Sequence, residues 1–229
     1  MDRYNKITNK NNREIVLLRA FPCIWGKCSF CDYIDDNGRD EDELNNLNKE
    51  VLDNITGEFG VLEVINSGSC FEIPKETMKY IKKIVDEKKI KLLFFESHWC
   101  YRNRIDEIRN FFNIPIIFKI GVETFDYDFR NNFLNKNAKF KDPKEVAEKF
   151  QSVCLMVGIK GQTKEIIRKD VEILLENFKY GTINVFVNNT TSIKRDEELV
   201  QWFRKEYSYL DDYPTIEVLY HNTDFGVGD

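Results

Sequence analysis

The 229-residue sequence predicts an α/β fold built on a parallel sheet. Two observations carry that expectation. Short β-branched and aromatic runs alternate with longer amphipathic stretches six times, which implies parallel strands joined by right-handed crossovers. The chemically unusual segments all follow strands rather than helices, where parallel α/β folds place function. A flat doubly wound sheet and a partial barrel both satisfy this pattern.

Taken in order, strands are expected at 15–18, 61–65, 91–95, 116–120, 153–157 and 183–187. Helical patterns at 41–55, 75–87, 102–112, 143–150, 164–178 and 196–207 lie between them, and a last β-like run covers 216–220. Pro74 and the Asp142-Pro143 pair mark helix starts. The acidic run from Asp35 to Glu43 reads as a solvated loop and charged helix N-terminus. No repeat and no linker rich in Gly, Pro or Ser interrupts the chain, so residues 1–229 are expected to form one domain.

Hydrophobic residues make up 42% of the chain, enough for a core of ordinary size, and charged residues 32%. The formal net charge is −5. An acidic balance argues against a broad phosphate-binding surface, so nucleic acid is not an expected partner. The polar N-terminus lacks the apolar core of a signal peptide. No apolar run reaches the ~20 residues of a membrane span. The expected compartment is the cytoplasm, where clustered cysteines bind metal or do chemistry rather than form disulfides.

Three of the six cysteines fall in one short loop after the first expected strand: Cys23, Cys28 and Cys31. Structural zinc usually takes four Cys or His ligands in two short pairs. Here Cys70, Cys100 and Cys154 are scattered, and His98 and His221 are the only histidines. A 4Fe-4S cluster is held one iron per thiolate, so three thiolates leave one iron open to a small chelating ligand. Both a zinc-stabilised, non-catalytic binding module and a cluster enzyme remain open on these residues.

The segment resembles the cysteine motif of the radical S-adenosylmethionine superfamily. That motif is usually C-x3-C-x2-C with an aromatic before its last cysteine, the place Phe30 fills. The first gap here, Ile24 to Lys27, is one residue longer, and Gly26 is suited to absorb it. The resemblance runs through nearly the whole chain. It implies a partial (β/α)6 TIM-like barrel, parallel strands lining the interior and helices outside. It also implies a 4Fe-4S cluster on Cys23, Cys28 and Cys31 and S-adenosyl-L-methionine as cofactor. Asn66, Ser67, Gly68 and Ser69 stand at the superfamily's turn for the methionine amino group. Gly121-Val-Glu-Thr, Arg130 and Leu134-Asn-Lys-Asn137 are similar to the branch containing the archaeosine synthase radical subunit. There Glu123 would bind cofactor polar groups and Arg130 the methionine carboxylate. Gly158 to Thr163, with Gly161, resembles a turn that cradles adenine through its backbone, Thr163 also being a helix N-cap. Asn188 and Asn189 are candidates for adenine or ribose.

The reaction implied begins with one-electron cleavage of the cofactor to a 5′-deoxyadenosyl radical, so no catalytic triad is expected and none is visible. A low-potential electron donor such as flavodoxin or ferredoxin is implied as partner. The absence of an RNA-binding extension favours a free small molecule, and the resemblance to that branch implies a 7-deazaguanine, queuine fitting best, with carbon–nitrogen cleavage. A tRNA-modifying relative is the alternative. A guanine-like edge needs a carboxylate acceptor, for which Glu96, Glu72 and Asp224 are the candidates. Trp25, Phe71 and Tyr33 are candidates to stack on a planar base. Glu96 and His98, after the third expected strand, are candidates to touch substrate or cofactor. Cys70, Cys100 and Cys154 read as packing residues.

Overall fold

The computed structural model describes residues 1–228. The fold class found is the expected α/β partial barrel. Its strands are β1 (Tyr4–Ile7), β2 (Arg13–Leu18), β3 (Val61–Asn66), β4 (Leu92–Glu96), β5 (Ile116–Glu123), β6 (Ser152–Val157), β7 (Tyr180–Val185) and β8 (Ile216–Leu219). The helices are α1 (Glu41–Leu52), α2 (Lys75–Glu87), α3 (Ile105–Phe112), α4 (Pro143–Ala147), α5 (Lys164–Asn177) and α6 (Glu197–Glu206). The chain divides into two compact units, and β5 begins in one and ends in the other.

The first unit holds residues 1–26, 33–118 and those from Phe225 onward. Its strands β1 to β4 lie in chain order, β2–β3 and β3–β4 parallel and β1 antiparallel to β2. β1 has no counterpart among the expected strands, because Tyr-Asn-Lys-Ile buries only Ile7 fully and carries no strand-like pattern. Backbone pairing makes it a strand. Its Asn5 also ties down the C-terminal segment by donating to Phe225 O at 2.8 Å. The near-continuous burial of β2 fits a strand covered on both faces. Asn48 of α1 is buried and bonds both Arg19 N (2.9 Å) and Arg19 O (2.8 Å), fixing the chain just before the cysteine loop. α3 starts three residues later than its apolar pattern predicts: a 3-10 turn, Trp99–Tyr101, with His98 as its cap, occupies the approach.

The second unit holds residues 27–32 and 119–224. Here β5 to β8 lie in chain order, and β5–β6, β6–β7 and β7–β8 are parallel. All six residues of β6 are buried. β7 begins earlier than expected, at Tyr180. Gly181 hides that start in the sequence, but it is required, since a Cβ there would lie 2.4 Å from Leu174 Cδ1. The capped starts at Asp142 and Thr163 are as expected, Asp142 in a capping box with Glu145. Among the described residues no helix is long and apolar enough to cross a membrane.

Candidate functional site

Cys23, Cys28 and Cys31 are half-buried and form no disulfide. Gly26 between them adopts φ +56°, with room for a Cβ only 3.2 Å from Cys23 O, so the extra residue is taken up by a left-handed turn.

In the first unit, Cys23 meets the turn after β3. A Cβ on Gly68 would lie 3.4 Å from Cys23 Cβ and 2.8 Å from Glu72 Oε2, so glycine permits the approach. Glu72 holds this arm. Its Oε1 accepts from Ile24 N at 3.1 Å and Tyr101 OH at 3.0 Å, and its Oε2 from Ser69 N. Burial pushes the Glu72 pKa up, outweighing the pull of those donors. Ser69 Oγ accepts from His98 N at 2.8 Å, drawing in the segment after β4. His98 Nδ1 accepts from Cys100 N at 3.2 Å, which in the neutral ring puts the proton on Nε2. Asn66 donates to Ser69 O at 3.1 Å, while its Oδ1 is buried without a partner. Ser67 and Gly68 are half-buried beside it. A buried acceptor lacking a donor fits a ligand that brings an N–H, as the amino group of methionine would.

In the second unit, Cys28 and Cys31 pack against buried Phe30, Phe129, Leu134, Met156 and Ile159. Ser29 N donates to Leu134 O at 2.9 Å, Asn135 Nδ2 to Lys27 O at 2.7 Å, and Asn189 Nδ2 to Phe30 O at 2.7 Å. Glu123 closes β5 at a register shift and adopts φ +66°, a left-handed conformation that costs a non-glycine residue about 1–3 kcal/mol. Its Oε1 accepts from Lys136 Nζ at 2.7 Å, both side chains being nearly buried. Burial pulls the Lys136 pKa down, but Glu123 and then the Cys28 and Cys31 thiolates outweigh it and hold the ammonium above the ordinary lysine value.

Among the described residues no three His, Cys, Asp or Glu side chains converge on one point as ligands of a single metal ion. A cube asks for something else, since each thiolate takes its own iron. Within its own unit each part has chemistry of the right type: Cys28 and Cys31 are half-buried against apolar side chains, and near Cys23 the Asn66 acceptor lacks a donor.

Several expectations need correction. Arg130 is 1% exposed, and its Nε, Nη1 and Nη2 donate to Ala138 O (2.9 Å), Thr124 O (2.9 Å) and Phe140 O (2.8 Å). Its fork closes a loop on three backbone carbonyls, which supports a clamp in place of the expected carboxylate ligand. Glu72 is committed to the cysteine arm rather than to a base. Asp224 is exposed and caps its own turn, Oδ2 accepting from Tyr220 N (2.7 Å) and His221 N (2.9 Å). Gly158 N–H is taken by Gln162 Oε1 at 3.0 Å and its carbonyl by Asp196 N at 2.8 Å, so that turn is closed upon itself. Asn189 braces the cysteine loop, and exposed Asn188 accepts from Arg195 N at 2.9 Å. Cys100 is exposed rather than packed, unlike Cys70 and Cys154. Phe71 stacks on Tyr101 at 4.5 Å. Glu96 ends β4 half-buried, Trp25 is half-buried and Tyr33 exposed. Lys136 and Asn135 were the residues to add. The signal was the Asn-Lys-Asn run itself, whose two asparagines both have positive φ.

No family model matches the chain. The uncharacterized protein MJ0550 of Methanocaldococcus jannaschii is 27% identical over 140 residues, 53% of this chain and 38% of that protein. The chain therefore spans well under half the length of that relative. A solved structure described as queuine lyase from Clostridium spiroforme bound to SAM and queuine is 57% identical, covers 100% of both chains and superposes with a TM-score of 0.99. Likeness of that degree, over the full length of both chains, means that the chain belongs to the queuine lyase family.

Proposed function

We propose that the chain is a radical S-adenosylmethionine lyase that cleaves the carbon–nitrogen bond of free queuine and leaves 7-aminomethyl-7-deazaguanine. The observation that carries this is the 57% identity, over the whole chain, to a queuine lyase bound to SAM and queuine. Residues 1–229 act as one catalytic domain in the cytoplasm, with queuine as small-molecule substrate and a flavodoxin or ferredoxin as electron source.

Cys23, Cys28 and Cys31 would hold a 4Fe-4S cluster, which would supply the electron for reductive cleavage of S-adenosylmethionine. The chain's own residues bind and orient. Asn66 Oδ1, with Ser67, Gly68 and Ser69, receives the methionine amino group, since its lone pair lacks a donor. Glu123, held in a strained conformation by Lys136, presents its second carboxylate oxygen to the cofactor. Phe30 and its apolar neighbours keep water from the Cys28–Cys31 side. Of the three carboxylates considered for the guanine-like edge, Glu72 and Asp224 accept bonds within their own loops, and Glu96, half-buried at the end of β4, is assigned to that edge. Trp25 and His98 are assigned to the substrate with it.

The test is anaerobic reconstitution followed by incubation with dithionite, S-adenosylmethionine and queuine. About four irons and sulfides per chain, and a product with the mass of 7-aminomethyl-7-deazaguanine, are expected, and Cys28→Ser should lose both. Cofactor cleavage without that product would move the assignment to another radical reaction, such as one on tRNA. A colourless protein holding one zinc would leave a binding module.

A further inference from the structure

The segment after β5 lies bonded along the Cys28–Cys31 part of the loop. Leu134 O accepts from Ser29 N, and Asn135, at φ +51°, reaches Lys27 O. The next residue, Lys136, brings its Nζ to 5.5 Å from the centroid of the Phe30 ring. Phe30 lies between Cys28 and Cys31 in the chain, so the ammonium stands over a ring that the cysteine loop itself carries. Its partner Glu123 Oε1 is 2.7 Å away, with side-chain exposures of 13% for Lys136 and 6% for Glu123. Space is kept for the pair: a Cβ on Gly121 would lie 2.7 Å from Glu123 Oε1 and 3.1 Å from Lys136 Nζ.

A buried ion pair is weak evidence for stability, because desolvation offsets most of the attraction. Its field is another matter. Fixed charges act strongly where water is excluded, and iron–sulfur potentials respond to net charge and solvent exposure. We propose that Lys136 and Glu123 are positioning residues that set the reduction potential of the group held by Cys28 and Cys31. The ammonium favours the reduced form and the carboxylate the oxidised form. One electron enters from a low-potential donor; no bond is made or broken in this step. The inference rests on the proposed cluster, whose presence is measured separately.

The experiment compares wild type, Lys136→Met, Lys136→Arg and Glu123→Gln, each reconstituted anaerobically and assayed for iron and sulfide. The midpoint potential is then read by a dithionite titration followed by electron paramagnetic resonance, without S-adenosylmethionine. Lys136→Met should shift the midpoint to more negative values and Glu123→Gln to more positive ones, with Lys136→Arg near wild type. Two shifts of the same sign, or full cluster content with unmoved midpoints, would overturn the proposal. Should Lys136→Met fail to hold its cluster, the positive shift of Glu123→Gln still decides. A wild-type protein that takes up no cluster would instead sink the reading of the cysteines.

Discussion

Replacing Arg130 separates a clamp from a ligand. Arg130→Met would take this donor from the carbonyls of Thr124 and Phe140, while Ala138 O keeps Asn131 Nδ2 at 3.3 Å. Each such loss costs about 1–3 kcal/mol, hence roughly 2–6 kcal/mol for the two. The guanidinium also lies 3.7 Å from the centroid of the Phe140 ring, a contact worth ~1–2 kcal/mol when desolvated. Against this stands relief from burying a charge. Burial pulls the Arg130 pKa down from its ordinary value to about 10, and a fall of that size corresponds to about 3 kcal/mol. The lost contacts outweigh that relief, by about 2 kcal/mol at mid-range. For a chain of this length that lowers the melting temperature by roughly 5 °C. Arg130→Lys keeps the charge but not the fork, so it should melt between the two. Calorimetric melting checks stability, and titration of S-adenosylmethionine into folded protein checks binding. If Arg130→Lys melts like wild type yet binds the cofactor more than tenfold worse, the clamp is wrong and Arg130 is a carboxylate ligand.

Three further outcomes follow from the same geometry. Glu72→Ala strands Ile24 N, Ser69 N and Tyr101 OH; we expect a loss of about 2–4 kcal/mol in denaturant unfolding and less iron per chain after reconstitution. Gly158→Ala puts a Cβ 2.3 Å from Val200 Cγ2 at φ +84°, so it should destabilise by about 1–3 kcal/mol. The added change Val200→Ala should recover the steric part and leave the backbone part. Burial lifts the Asp170 pKa from 3.8 to about 7, against the bond from Phe125 N. Between those values the folded chain keeps a proton that the unfolded chain has released, so stability falls as pH rises through the window. Urea unfolding at pH 5 and pH 7.5 should show Asp170→Asn gaining on wild type at the higher pH; an equal gap at both would contradict the shift.

Where a residue's role is set by its own neighbours in sequence, the sequence announced it. The helix starts at Asp142 and Thr163 and the left-handed turn at Gly26 belong to this class. Arg130 does not. Its guanidinium is used up by carbonyls eight and ten residues on, at Ala138 and Phe140, which only the folded loop brings back to it. Glu72 looked like a base-reading carboxylate because nothing local shows that Ile24 N, 48 residues away, would reach it. At Gly158 the sequence correctly marks a left-handed turn, but Gln162, which takes its N–H, has no signature of its own. β1 is the same lesson in strand form: pairing partners far along the chain make it, and its composition hides it.

The longer gap between the first two cysteines takes on a physical meaning once the braces are counted by what they hold. Ile24 is 56% exposed and has no packing to fix it, so its amide is held by the Glu72 carboxylate. Gly26 turns the chain, Lys27 O is held by Asn135, Ser29 N by Leu134 O, and Phe30 O by Asn189. The loop therefore owes its shape to hydrogen bonds on its backbone rather than to its own side chains. Such a loop tolerates an added residue, because the bonds fix the positions on either side of it and leave the turn at Gly26 to absorb the length.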